Sequence, residues 1–149
     1  MDIGQAGKFD LILLLEVSKK AGDLDKLLIM CKEMLSNEDG KIVIMARPKS
    51  PSPPLPECCR PIWRELSYTR DEILAAINNA ELQSTCVSSS VPVSIGKFDW
   101  EAILYTGNIT VVKMCPKCTE QEIAKFCKSQ SPQVAFEEKL NVFLIRLKS

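Results

Sequence analysis

The chain has no histidine. That absence removes imidazole general bases, His-activated nucleophiles and His-ligated zinc from the possibilities at once. Net charge is lacking too: 19 Lys and Arg balance 19 Asp and Glu. Nothing in that balance marks an electrostatic footprint for nucleic acid or an anionic membrane. No apolar run approaches the roughly 20 residues that cross a bilayer. The N-terminus has no basic stretch, and Asp10 and Glu16 flank a short apolar run, so no secretory signal is expected. A cytoplasmic protein is the expectation.

What is present points to an ordinary folded domain. At 149 residues, 46% hydrophobic and 26% charged, the chain is long and apolar enough for a sizeable core. A single α/β domain over 1–149 is expected. Seven cysteines, at 31, 58, 59, 86, 115, 118 and 127, form no even framework, so reduced thiols are expected.

Residues 9–17 read as a strand buried on both faces, because the apolar run is continuous. Asp23 is a plausible N-cap, and Leu24, Leu27, Leu28, Cys31, Met34 and Leu35 recur at helical spacing. Gly40 ends that unit, and KIVIMA (41–46) reads as the parallel strand of a βαβ crossover. Residues 48–61 form a proline-rich surface loop. Thr69 and Glu72 make a capping box before a helix carrying Ile73, Leu74, Ile77 and Ala80. Residues 82–93 have the look of an edge strand, with Pro92 at its unpaired end. Residues 97–105 read as a short helix with Phe98, Ile103 and Leu104 inward, and 109–114 as a strand. Thr119 and Glu122 suggest a second capping box, and 140–147 a closing strand.

The order of these pieces carries more than any one of them. Phe9-Asp10-Leu11-Ile12, then a capped helix, then Gly40-Lys41-Ile42-Val43-Ile44 resembles the second half of class I S-adenosylmethionine-dependent methyltransferases. The segments LSYTRDEILAAINNAEL, WEAIL and FEEKLNVFLIRLKS are most similar to histamine N-methyltransferase-like proteins. The resemblance covers nearly the whole chain. It implies a partial Rossmann-like fold, a mixed sheet with an antiparallel terminal strand, S-adenosylmethionine as cofactor and a small amine as methyl acceptor. It also implies an incomplete enzyme, because the glycine-rich half that holds the cofactor has no counterpart here. Asp2-Ile3-Gly4-Gln5-Ala6-Gly7 echoes the glycine-rich turn, but no strand precedes it and no helix has room to follow it.

Position by position, the resemblance puts Leu15, with Glu16 beside it, at the cofactor. It puts Lys19, Lys20, Trp63, Ala102 and Glu138 at the substrate. Lys19, Lys20 and Ala102 stand where the family has aromatic residues. Losing those ring faces removes the cation–π surface that would hold histamine itself. No pair among Glu16, Asp99, Glu101 and Glu138 has a spacing that singles out an acid and a base, so no catalytic residue is named.

The cysteines allow rival readings. A strand, then Cys115-Pro116-Lys117-Cys118, then a capped helix is the layout of a thiol–disulfide oxidoreductase. Zinc held by Cys115, Cys118 and Cys127, with Cys58 or Cys59 as fourth ligand, is conceivable, although adjacent cysteines are unusual ligands and free thiols are the plainer reading. A third reading is a non-catalytic interaction domain that recruits a partner, or associates with itself, through an exposed sheet edge.

Overall fold

The computed structural model describes residues 7–149; the 2–6 part of the glycine-containing segment lies outside them. The chain divides into two compact units. The first takes the residues up to Pro48, then Ser67–Ser89 and Leu140–Ser149; the second takes Lys49–Leu66 and Ser90–Lys139.

The first unit begins with β1 (Leu11–Leu15), which passes through a 3-10 turn (Lys19–Ala21) into helix α1 (Leu24–Glu33). Asp23 caps that helix, accepting from the backbone N–H groups of Asp25 and Lys26 at 3.0 and 3.4 Å. Helical spacing then turns Leu24, Leu28 and Cys31 toward the core. Gly40 follows where space is short. A Cβ there would meet the Asn37 carbonyl oxygen and the Leu35 side chain at 3.1 Å. Strand β2 (Lys41–Ala46) pairs in parallel with β1, from Leu11 against Lys41 to Leu15 against Met45.

Helix α2 (Arg60–Leu66) belongs to the second unit, and helix α3 (Arg70–Asn79) returns the chain to the first. The predicted capping box of α3 is formed: Thr69 N–H donates to the Glu72 carboxylate at 2.6 Å, and Glu72 N–H to the Thr69 hydroxyl at 3.1 Å. Ile73, Ala76 and Ile77 are its buried face. Strand β3 (Leu82–Gly96) and the terminal strand β4 (Gln133–Leu147) complete a sheet of order β1-β2-β4-β3, with β4 antiparallel to β2 from Ala46 against Asn141 to Lys41 against Arg146. The core of this unit gathers Leu28, Ile42, Ile44, Ile73, Phe143 and Ile145. Each such side chain contributes about 1.5–3 kcal/mol by leaving water.

The expectation of a first strand covered on both faces is overturned. Among the described residues β1 is an edge strand. Ile12 and Leu14 pack on the core, whereas Leu11, Leu13 and Leu15 are 51, 55 and 61% exposed. A continuous apolar run is compatible with two covered faces, and here only one is covered.

In the second unit α2, α4 (Lys97–Tyr105), α5 (Thr110–Met114) and α6 (Glu120–Lys128) accompany residues 90–96 of β3 and 133–139 of β4. Its own core contains Leu55, Trp63, Trp100, Leu104, Ile123 and Val134. The Trp100 and Phe136 rings lie 5.7 Å apart and tilted.

Four expectations are corrected here. Residues 109–114 are helical for most of their length, because Val111 and Val112 are both buried, which adjacent residues achieve on a helix more easily than on a one-faced strand. Phe98 is 82% exposed, and Trp100 takes the inward place on α4. The proline-rich loop is not mere surface. Leu55 and Cys59 are fully buried, Trp100 Nε1–H donates to the Pro54 carbonyl at 3.1 Å, and Ser52 Oγ accepts from Lys139 N–H at 3.1 Å. Pro92 does not end β3, which continues to Gly96; an edge strand tolerates the missing donor.

Candidate functional site

In open α/β sheets ligands gather beyond the carboxyl ends of parallel strands. At that end of β1 stands Leu15, apolar and uncovered. Glu16 follows in left-handed backbone, φ 54°, which costs a non-glycine residue free energy and persists only where neighbours hold it. Two contacts do so. Glu16 N–H donates to the Met45 carbonyl at 2.9 Å, and its carboxylate takes Arg47 Nη1 at 2.6 Å. Arg47 follows β2, and reading the strand-end rule on both parallel strands would have found it.

The two lysines predicted for the substrate sit on the turn after β1, and the structure gives Lys19 a definite task. Its ammonium pairs with Glu72 at 2.9 Å and lies 5.5 Å from the centre of the Tyr68 ring. Tyr68 O–H in turn donates to the Gly22 carbonyl at 3.1 Å. The Lys19 bond, with help from the Thr69 backbone, holds the Glu72 carboxyl down at about 2. Lys19 therefore fastens the turn to the start of α3. Lys20 is exposed. Leu15, Glu16, Lys19 and Lys20 thus share one strand end and the turn behind it.

The other predicted residues belong to the second unit. Trp63 is buried in its core, Ala102 is exposed on α4, and Glu138 is half-buried on β4. An open groove of about 440 Å³ runs between Pro51–Pro54 and the start of β4, with Arg60, Gln130 and Gln133 among its lining. None of the predicted site residues lines it.

The thiols are distributed unevenly. The Sγ atoms of Cys58, Cys59 and Cys118 lie within 4.8 Å of one another. Cys115 joins them, its thiol donating to the Cys58 carbonyl at 3.3 Å and interacting with the Cys58 thiol. Burial, then the Cys115 contact, pushes Cys58 up to about 11; burial, then the Cys118 contact, raises Cys59 as well. Cys127 stays apart, buried in the core of the unit. The oxidoreductase layout is not present: the element before Cys115 is helix α5, not a strand, and Cys118, not Cys115, abuts the N-cap of α6.

The sheet defines the class of fold. A parallel pair, followed by an antiparallel terminal strand inserted between β2 and β3, is the Rossmann-like arrangement of the methyltransferases. Solved structures with a similar fold include two from Bacillus species. A candidate methyltransferase from Bacillus halodurans C-125 matches with a TM-score of 0.56 and 12% identity, over 100% of this chain and 70% of that one. The YcgJ protein from Bacillus subtilis matches with a TM-score of 0.51 and 14% identity, over 95% of this chain and 65% of that one. No family model matches the chain. No curated protein matches it either. No helix among the described residues is long and apolar enough to cross a membrane.

Proposed function

We propose that this chain works in methyl transfer from S-adenosylmethionine to a small amine, its first unit supplying the sheet-side wall of the site. The observation that carries the reading is the end of β1. In a methyltransferase-type sheet, an uncovered apolar residue is followed there by an acidic residue held in left-handed backbone.

The cofactor fits this wall. Leu15 offers an apolar contact, and Glu16 offers acceptor oxygens whose position is fixed by Arg47 and the Met45 carbonyl. The fit stops at the wall, because among the described residues no glycine-rich turn follows a strand. When bound, S-adenosylmethionine supplies an electrophilic methyl group. Toward it the chain contributes orientation, which is most of what methyl transfer to an amine asks of a protein. Lys19 takes part indirectly, by tying the turn behind Glu16 to α3 through Glu72. The small-amine acceptor rests on the resemblance of residues 66–82, 100–104 and 136–149 to the small-amine methyltransferases.

The test is thermal unfolding followed by far-UV circular dichroism, with S-adenosylhomocysteine raised stepwise. At ten times its Kd the ligand should add about 1.4 kcal/mol. Leu15→Asp should abolish the shift while leaving the ligand-free midpoint nearly unchanged, since the side chain is already exposed. A cooperatively folded wild-type chain with no shift at any soluble ligand concentration would overturn the reading. A positive shift makes transfer of labelled methyl groups to a panel of small amines the next measurement.

A further inference from the structure

Four of the seven cysteines meet in the second unit, and the methyl-transfer reading uses none of them. Cys58 and Cys59 come from the 3-10 turn Glu57–Cys59 that leads into α2. Cys115 and Cys118 come from the turn between α5 and α6, some 57 residues later along the chain. That turn is closed by a bond from Cys118 N–H to the Cys115 carbonyl at 3.0 Å, so the CxxC is a single tight turn. Other side chains of this core are apolar: Leu55, Trp63, Val111 and Val112. Three sulfur atoms packed within 4.8 Å of one another need a reason.

We propose that Cys58, Cys59 and Cys118 form a structural zinc site, with Cys115 as the fourth ligand, clamping the turn before α2 to the turn before α6. Four sulfurs around a zinc ion at about 2.3 Å stand roughly 3.8 Å from each other. The three observed sulfurs need draw in by only a little to reach that spacing. Cys115 reaches it by giving up its bond to the Cys58 carbonyl and turning its thiol toward the other three. Each thiol releases its proton as it binds, so zinc takes up thiolates and the solvent takes the protons. Lys117, inside the CxxC turn, and Arg60, next to Cys59, supply positive charge close in sequence to the anionic centre.

The chemistry favours a metal over a catalytic dithiol. A catalytic dithiol uses two thiols, whereas here three sulfurs stand within 4.8 Å of one another with a fourth beside them, the number a structural zinc takes. The helix before Cys115 also removes the strand-then-CxxC geometry in which a redox cysteine is activated.

The experiment is a cobalt(II) titration of the reduced full-length chain, followed by displacement with zinc. One equivalent should produce the thiolate-to-cobalt charge-transfer band, and one equivalent of zinc should abolish it. Cys58→Ser and Cys118→Ser, both at half-exposed positions, should lose the band; Cys127→Ser and Cys86→Ser should keep it. If a ligand variant fails to fold, the wild-type chain still decides the matter. One equivalent of zinc should then protect Cys58 and Cys118 from alkylation while leaving Cys86 as reactive as before. A folded, reduced wild-type chain that shows no band and retains no zinc on dialysis would overturn the proposal. So would a band that persists in the folded Cys58→Ser/Cys118→Ser double variant. A Cys58–Cys118 disulfide in a chain whose reduced form takes up no metal would overturn it too.

Discussion

Replacing Ile44 and Leu13, one at a time, separates a one-faced sheet from a two-faced one. Leu13 pairs with Val43, next to Ile44 along β2, yet Ile44 is fully buried and Leu13 is 55% exposed. Ile44→Ala removes methyl groups from the centre of the first core beside Phe143, its partner on β4, and should cost about 2–5 kcal/mol. Leu13→Thr keeps a strand-favouring, branched side chain and gives up less than half of a leucine's burial, so it should cost no more than about 1 kcal/mol. The assay must report on the right unit. Trp63 and Trp100 both belong to the second unit, so fluorescence follows that one. Urea unfolding by far-UV circular dichroism sees the first unit as well. Comparable losses for the two variants at equal m would refute the one-faced reading.

Three further outcomes follow from the geometry. The Glu72 carboxyl is held at about 2 against an ordinary 4.5, so the stability it contributes is full above the unfolded range and drains away as pH falls from about 4.5 toward 2. The carboxylate is well exposed, which limits that contribution to about 1 kcal/mol; Glu72→Gln should flatten the acid limb of a stability–pH curve, and an unchanged limb would remove Lys19 from its anchoring role. Thr119→Ala removes the hydroxyl that accepts from Glu122 N–H and should cost about 0.5–2 kcal/mol in an unfolding curve followed by Trp fluorescence. Trp100→Phe strands the Pro54 carbonyl and opens space beside Phe136, for a loss of about 2–3 kcal/mol read from the remaining Trp63; a loss below 0.5 kcal/mol would mean the proline segment is held by other contacts.

Local signals were legible where the chemistry was local. Asp23 and Thr69 cap as their side chains dictate, Gly40 ends the first crossover where a Cβ would be tight, and KIVIMA forms the parallel strand its pattern promised. The antiparallel terminal strand was legible from the order of elements and begins earlier than its apolar run suggests, at Gln133. What escaped depended on neighbours distant in sequence. Leu11, Leu13 and Leu15 read as buried because sequence counts apolar residues, not covered faces. Residues 110–114 have strand-favouring side chains and become helix because two adjacent valines must both turn inward. In the candidate site, Leu15, Glu16, Lys19 and Lys20 lie at one strand end and on the turn after it by their order in the chain, whereas Arg47 and Glu72, which hold two of them, lie 31 and 53 positions away. The thiol cluster was half visible: the CxxC announced itself, but the choice of Cys58 and Cys59 over Cys127 is made by the packing of the second core.

The division of the chain has a consequence for how the protein is made and cut. Neither unit is one stretch of polypeptide: the first is assembled from three segments, the second from two, and the last segment of the first follows the last segment of the second. During synthesis β2 waits nearly a hundred residues for β4, the strand that pairs with its second edge. Both cores stay unfinished until the fifteen-residue strand β4 has left the ribosome. Truncation from the C-terminus therefore damages both units together. A single protease nick in a loop releases neither, so fragments made by expression or digestion should be recovered as complementing pairs rather than as freestanding halves.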